Sequence, residues 1–171
     1  GRISPCCSTV LTIRPTKMLA RRLAIALPQT PPSVANRVAD WCTHEFRVGR
    51  YRYLMFCNTT SLYPVVSYAR GVNDEHSLIE RLVDALQASL TGADLEFQFR
   101  RQIAPESAVV QWAPIPDKAI LGSINDMINM TRYSLENRDE APADLSRWLA
   151  RSPMSVLGGN SPDRVFPRLG R

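Results

Sequence analysis

The chain has 171 residues, 44% of them apolar and 22% charged, with a formal charge of +5. This composition excludes wholesale disorder, collagen-like repeats and low-complexity structure, and no apolar run approaches the ~18 residues that a membrane span needs. One globular domain is expected, with residues 1–9 an unstructured N-terminal appendage, residues 10–168 the domain and residues 169–171 a tail.

The charge is local. Arg2, Arg14, Lys17, Arg21 and Arg22 are five basic residues with no acid among the first 22 positions, and 16 basic residues face 16 acidic ones in the rest. Nucleic-acid binding through Arg14, Lys17, Arg21 and Arg22 is therefore a third-ranked reading, since the excess is no stripe across the domain. Arginines number 19 and lysines 2, a bias that reads as coding composition rather than chemistry. The first nine residues lack the apolar stretch of a secretory signal. Four cysteines with no zinc-ribbon spacing, in a domain large enough to fold without staples, fit reduced thiols in a cytoplasm.

In chain order, Val10–Arg14 reads as a strand and Pro15 opens a helix to about Leu27, with Leu19, Leu23 and Leu27 on one face. The proline-rich stretch 28–33 is a surface loop. Trp41–Val48, Tyr51–Asn58 and Leu62–Arg70 are aromatic and β-branched with short connections, which demands an antiparallel meander. A two-residue Gly49-Arg50 turn of type II′ pairs Cys42 with Cys57, His44 with Met55 and Phe46 with Tyr53 on one apolar face. Thr43, Glu45, Arg47 and Arg52 then form an opposite, charged face.

Asp74 to about Leu90 has leucines every four residues and reads as a helix ended by Thr91-Gly92. Leu95–Arg101 alternates apolar with polar residues and reads as a strand, as does Ala108–Trp112. Further helices are expected at about Ile124–Glu136 and Pro142–Ala150, and a short turn opens at Ser161-Pro162-Asp163. The predicted class is α+β, a single domain with an antiparallel meander sheet of about five to six strands covered by about three helices.

Three constellations could carry chemistry. Cys42, His44 and Cys57 share a face, where a Cys–His pair could make a nucleophile, though two cysteines among Phe46, Tyr53 and Met55 read first as core. Ser123 and Asp126 have the spacing of a capping box at the start of a helix, which leaves Asn125 as the residue there free for a ligand. The corner Asn58-Thr-Thr-Ser61 is a turn that a sheet could present to a ligand. No phosphate loop, dinucleotide fingerprint or serine elbow occurs, and no metal or cofactor is assigned.

Four blocks taken together resemble a known family: Ile13-Arg-Pro-Thr-Lys17, Asp40-Trp41 through Phe46, Cys57-Asn-Thr-Thr-Ser-Leu-Tyr63, and Leu121-Gly-Ser-Ile-Asn-Asp126 followed by Pro153-Met-Ser155. They are similar to a bacterial and archaeal family catalogued as a domain of unknown function, family 6933, over about Val10 to Phe166. The resemblance implies no activity. It marks Trp41, Asn58, Ser123, Asn125, Asp126 and Ser155 as recurrent positions, and Cys42 stands where the family commonly has histidine.

The leading expectation is a small binding or accessory protein that contacts an unknown ligand or protein partner through Trp41, Asn58, Ser61, Arg70, Ser123, Asn125 and Ser155. The alternative is an enzyme built on Cys42 or His44 with Asp126 or Arg70 in support.

Overall fold

A computed structural model describes residues 10–138 and 140–170; the expected appendage, residues 1–9, lies outside them. Five strands form one sheet in the order β4-β3-β2-β1-β5. They are β1 (Leu11–Pro15), β2 (Asp40–Val48), β3 (Tyr51–Asn58), β4 (Pro64–Tyr68) and β5 (Val110–Trp112). Among the described residues six helices accompany them, where about three were expected: α1 (Lys17–Arg22), α2 (Glu75–Gly92), α3 (Glu96–Gln98), α4 (Lys118–Asn137), α5 (Pro142–Ala150) and α6 (Pro162–Val165).

The hairpin register is the expected one. Cys42 faces Cys57, His44 faces Met55 and Phe46 faces Tyr53, and Gly49 supplies the positive φ of 61° that the first turn residue needs. The sheet as a whole is not an antiparallel meander. β1 pairs in parallel with both β2 and β5, so β3 alone runs against the other four strands. The long connection from Thr16 to Ala39, with α1 in it, gives β1 the room to return in parallel.

Both faces of the sheet are covered, which corrects the expected charged face. On one side Leu11, Ile13, Trp41, Leu54 and Phe56 pack with α1 and with Leu78, Leu82, Leu86 and Leu90 of α2. On the other, Cys42, Phe46, Met55 and Cys57 pack with Ile124, Met127 and Ile128 of α4 and with Leu145 and Leu149 of α5. Arg47 and Arg52, near the hairpin turn, remain exposed.

Three elements depart from expectation for identifiable reasons. Helix α1 stops at Arg22, because Ala24 takes a left-handed φ of 55° and Ile25 N–H closes back on the Ala20 carbonyl. The segment predicted as a strand at Leu95–Arg101 is helical, running through α3 into a π-helical turn at Phe99–Ile103. Its buried positions are Leu95, Phe99 and Ile103, a four-residue spacing, while Phe97 is 65% exposed beneath the Arg101 guanidinium. Helix α4 begins six residues before the expected Ile124: Asp117 is its N-cap, accepting the Ile120 N–H at 2.8 Å, and Gly122 lies inside it.

The remaining helices fall where expected. Asp74 and Ser77 form a reciprocal capping box on α2. On α5, the Ser146 hydroxyl donates to the Pro142 carbonyl at 2.7 Å and accepts the Val66 N–H of β4 at 2.8 Å. The expected tail is partly anchored, since Leu169 packs on the core and the Gly170 carbonyl accepts from Gln102. No helix among the described residues is long and apolar enough to cross a membrane.

Candidate functional site

The parallel strands β1 and β5 lie side by side, and the chain leaves their C-terminal ends in opposite directions. After β1 it passes through Thr16 into α1 on one face; after β5 it passes through Pro114, Ile115 and Pro116 into α4 on the other. Divergence of this kind opens a crevice beyond the strand ends, the place where open sheets with parallel strands bind ligands. The crevice here is a cleft of about 690 Å³. Its walls are mostly apolar, from Pro15, Met18, Leu19 and Leu27 on one side and Pro114, Ile115, Pro116 and Leu121 on the other. The polar side chains along it are Lys17, Arg22, His44, Glu45, Lys118 and Asn125, with the caps Thr16 and Asp117.

His44 reaches the cleft because β2 extends past the shorter β1, whose last residue, Pro15, pairs with Thr43. Its Nδ1–H donates to the Glu45 carbonyl at 2.8 Å, which leaves Nε2 as the unprotonated nitrogen. Asn125 of α4 lines the same cleft. Burial holds the imidazole pKa below its usual value, and the positive charge of Arg132 acts in the same direction. The site thus offers a neutral histidine with an acceptor nitrogen. Glu45 beside it is occupied by an ion pair with Arg22, whose guanidinium also donates to the Val72 carbonyl at 3.0 Å.

Beneath the cleft runs a buried polar chain. Arg14 Nε and Nη2 donate to the two carboxylate oxygens of Asp40 at 2.8 and 3.2 Å, and Arg14 Nη1 donates to the Pro114 carbonyl at 2.8 Å. Thr59 Oγ1 donates to Asp40 Oδ1 at 2.8 Å. With its proton so committed, Thr59 accepts from the Cys42 thiol at 3.3 Å. Arg14 therefore ties β1, β2 and the loop after β5 into the floor of the site.

This chain corrects several expectations. Cys42 is fully buried, and burial pushes its thiol up to about 12; Cys57 is driven well above the ordinary thiol range for the same reason. Buried thiols held protonated in this way are poor nucleophiles at neutral pH. Arg14 is a core residue, so it presents nothing to nucleic acid; Lys17, Arg21 and Arg22 are exposed, with Arg22 engaged by Glu45.

The expected ligand residues separate. Asn125 and His44 meet in the cleft. Trp41 is sealed against Phe166, and its indole N–H donates to the Val38 carbonyl at 2.8 Å. Asn58 is saturated: its amide oxygen accepts from Thr60 N–H, Ser61 N–H and Ser61 Oγ, and its amide nitrogen donates to the Arg37 and Asp40 carbonyls. Asn58 and Ser61 therefore build a turn and leave nothing for a ligand. Ser123 is inside α4, donating back to the Ala119 carbonyl at 3.0 Å, so it caps nothing, and Asp126 is exposed on the same helix. Arg70 and Ser155 are exposed and away from the cleft. Among the described residues no three His, Cys, Asp or Glu side chains gather as a metal site.

Sequence reasoning missed Lys118, Ile115 and Leu121. The doubled proline of Pro114-Ile-Pro116 followed by Asp117 was the available signal, a rigid extended segment running into an N-cap.

No curated protein and no solved structure matches the chain. Residues 12–165 match the family model described as "Domain of unknown function (DUF6933)", whose description names no activity. That match takes in both arms of the cleft, the buried Arg14–Asp40 pair and His44, and the chain belongs to this family.

Proposed function

We propose that the protein binds a small ligand with an apolar body in the cleft between α1 and α4, with His44 and Asn125 as the polar anchors. The observation that carries this reading is the opposite departure of the chain after β1 and β5, which leaves a largely apolar cleft of about 690 Å³ beyond the strand ends. Ligand pockets are commonly of this volume and have this mixture of many apolar walls and a few fixed polar groups. Binding is favoured over turnover because the two thiols are buried and Glu45 is held by Arg22. The compartment we assign is the cytoplasm, on the two buried free cysteines.

A neutral fluorescent probe, N-phenyl-1-naphthylamine, tests the reading. Its rings suit the apolar walls and its N–H suits the acceptor nitrogen of His44. Saturable binding at one site is expected, weakened about tenfold or more when Leu121→Trp fills the cleft. Binding that Leu121→Trp leaves unchanged would remove the cleft from consideration.

A further inference from the structure

The chain contains two lysines among its 21 basic residues, and both line this cleft. Lys17 is the first residue of α1 and Lys118 the first of α4, so the two helices that diverge from β1 and β5 each bring one ammonium group to the same opening. All other basic positions are arginine. The arginine bias read as coding composition therefore has its two exceptions at one site.

The charges around these lysines are already allocated. Glu45 is paired with Arg22. Asp117 faces its own helix, its carboxylate accepting the Ile120 N–H at 2.8 Å. His44 is neutral with its Nδ1–H committed to a carbonyl. Among the described residues neither Lys17 nor Lys118 has an ion-pair partner, and both are exposed. A lysine is a compact, mobile cation that closes on an oxyanion without the fixed planar geometry an arginine imposes.

We propose that the ligand is an anionic amphiphile, an apolar hydrocarbon or aromatic body carrying an oxyanion that Lys17 and Lys118 hold between them. The body lies along Leu19, Leu27, Ile115 and Leu121, and the anion sits at the mouth, where its solvation is only partly lost. Such an arrangement lets the apolar walls supply affinity while the charges set orientation and disfavour cationic analogues. This inference rests on the cleft being a ligand site and adds the chemical class that enters it.

The test uses a matched pair of probes on the intact chain: N-phenyl-1-naphthylamine and 8-anilino-1-naphthalenesulfonate, which share a ring system and differ by one sulfonate. The ratio of their affinities isolates the anion. In the Lys17→Gln/Lys118→Gln double variant, sulfonate affinity is expected to fall about tenfold or more, while affinity for the neutral probe stays within about twofold. Each single variant takes part of that loss, and added salt weakens the sulfonate alone. Both substitutions are at exposed positions, so folding is preserved and is checked by the neutral probe itself.

An unchanged ratio in the double variant overturns the proposal. If Leu121→Trp still abolishes neutral-probe binding in that case, the cleft stands as a ligand site and only its anion preference is lost. Displacement of the sulfonate probe by octanoate or by octyl phosphate supports the proposal and tells carboxylate from phosphate. Displacement by octanol with neither anion competing overturns it.

Discussion

Arg14 and Asp40 are joined by two hydrogen bonds, Nε to Oδ1 at 2.8 Å and Nη2 to Oδ2 at 3.2 Å, between neighbouring parallel strands. Both residues are buried, at 6% and 5% exposure. Their pairing is what allows two charges to sit under the sheet ends, and the third Arg14 bond, to the Pro114 carbonyl, fixes one wall of the cleft. The pair positions that wall and is not itself part of the cleft's lining.

Removing one partner strands the other charge. Arg14→Met is expected to destabilise the protein by about 3–5 kcal/mol, because Asp40 then lacks its buried counter-charge. The double variant Arg14→Met/Asp40→Leu should recover part of that loss. Urea denaturation of the three proteins measures it, and a single-variant cost below about 1 kcal/mol would contradict a buried, bidentate pair.

Asn58 serves five partners from one amide, joining the turn after β3 to the start of β2. Asn58→Ala leaves several of those groups buried without partners, and a loss of about 2–4 kcal/mol is expected. Asn58→Asp sets a buried carboxylate oxygen against the Arg37 and Asp40 carbonyls, so it should cost at least as much as Asn58→Ala. The midpoint shift in urea checks the order.

His44 titrates against folding. Burial lowers its pKa below the unfolded value of 6.5, so the unfolded chain takes up its proton first as pH falls. Stability from this group is complete above pH 6.5 and is lost as pH drops through the interval below it, down to the lowered folded pKa. His44→Gln should flatten that slope between pH 7.5 and 5.5. An unaltered slope in the variant would mean that another group is responsible.

The buried thiols should resist alkylation. With Cys42 near 12, its thiolate fraction at pH 8 is on the order of 10⁻⁴, before burial slows access further. Peptide-resolved mass spectrometry after iodoacetamide treatment should find Cys42 and Cys57 unmodified in the folded protein and rapidly modified in urea. Labelling of Cys42 at the rate of a free thiol under native conditions would reinstate it as a nucleophile.

Local devices were legible in the chain, and long-range pairing was not. The hairpin register from Trp41 to Asn58 follows from a glycine turn and side-chain alternation, both short-range properties. The bounds of α5, Pro142–Ala150, follow from a proline at its first position. The parallel partnership of β1 with β5 spans nearly a hundred residues and leaves no local mark, so the crevice it creates could not be anticipated. Asn125 was identifiable as a polar residue without a capping role and His44 as a polar residue on an apolar face, but their meeting depends on that crevice. Asn58 and Ser61 misled for the opposite reason: the residue types that bind ligands are also those that bond their own backbone. At Leu95–Arg101 an alternating pattern coincided with a four-residue one, and burial of Leu95, Phe99 and Ile103 decided for the helix.

Strand β4 forms one outer margin of the sheet, where an unpaired N–H can recruit a strand from another molecule. At Val66 that invitation is withdrawn from within, since the hydroxyl of Ser146 already occupies the donor. The same contact that fastens α5 to the sheet therefore acts as a guard against self-templated growth. Ser146→Ala would reopen the margin, giving a chain that aggregates faster than its modest loss of stability alone accounts for.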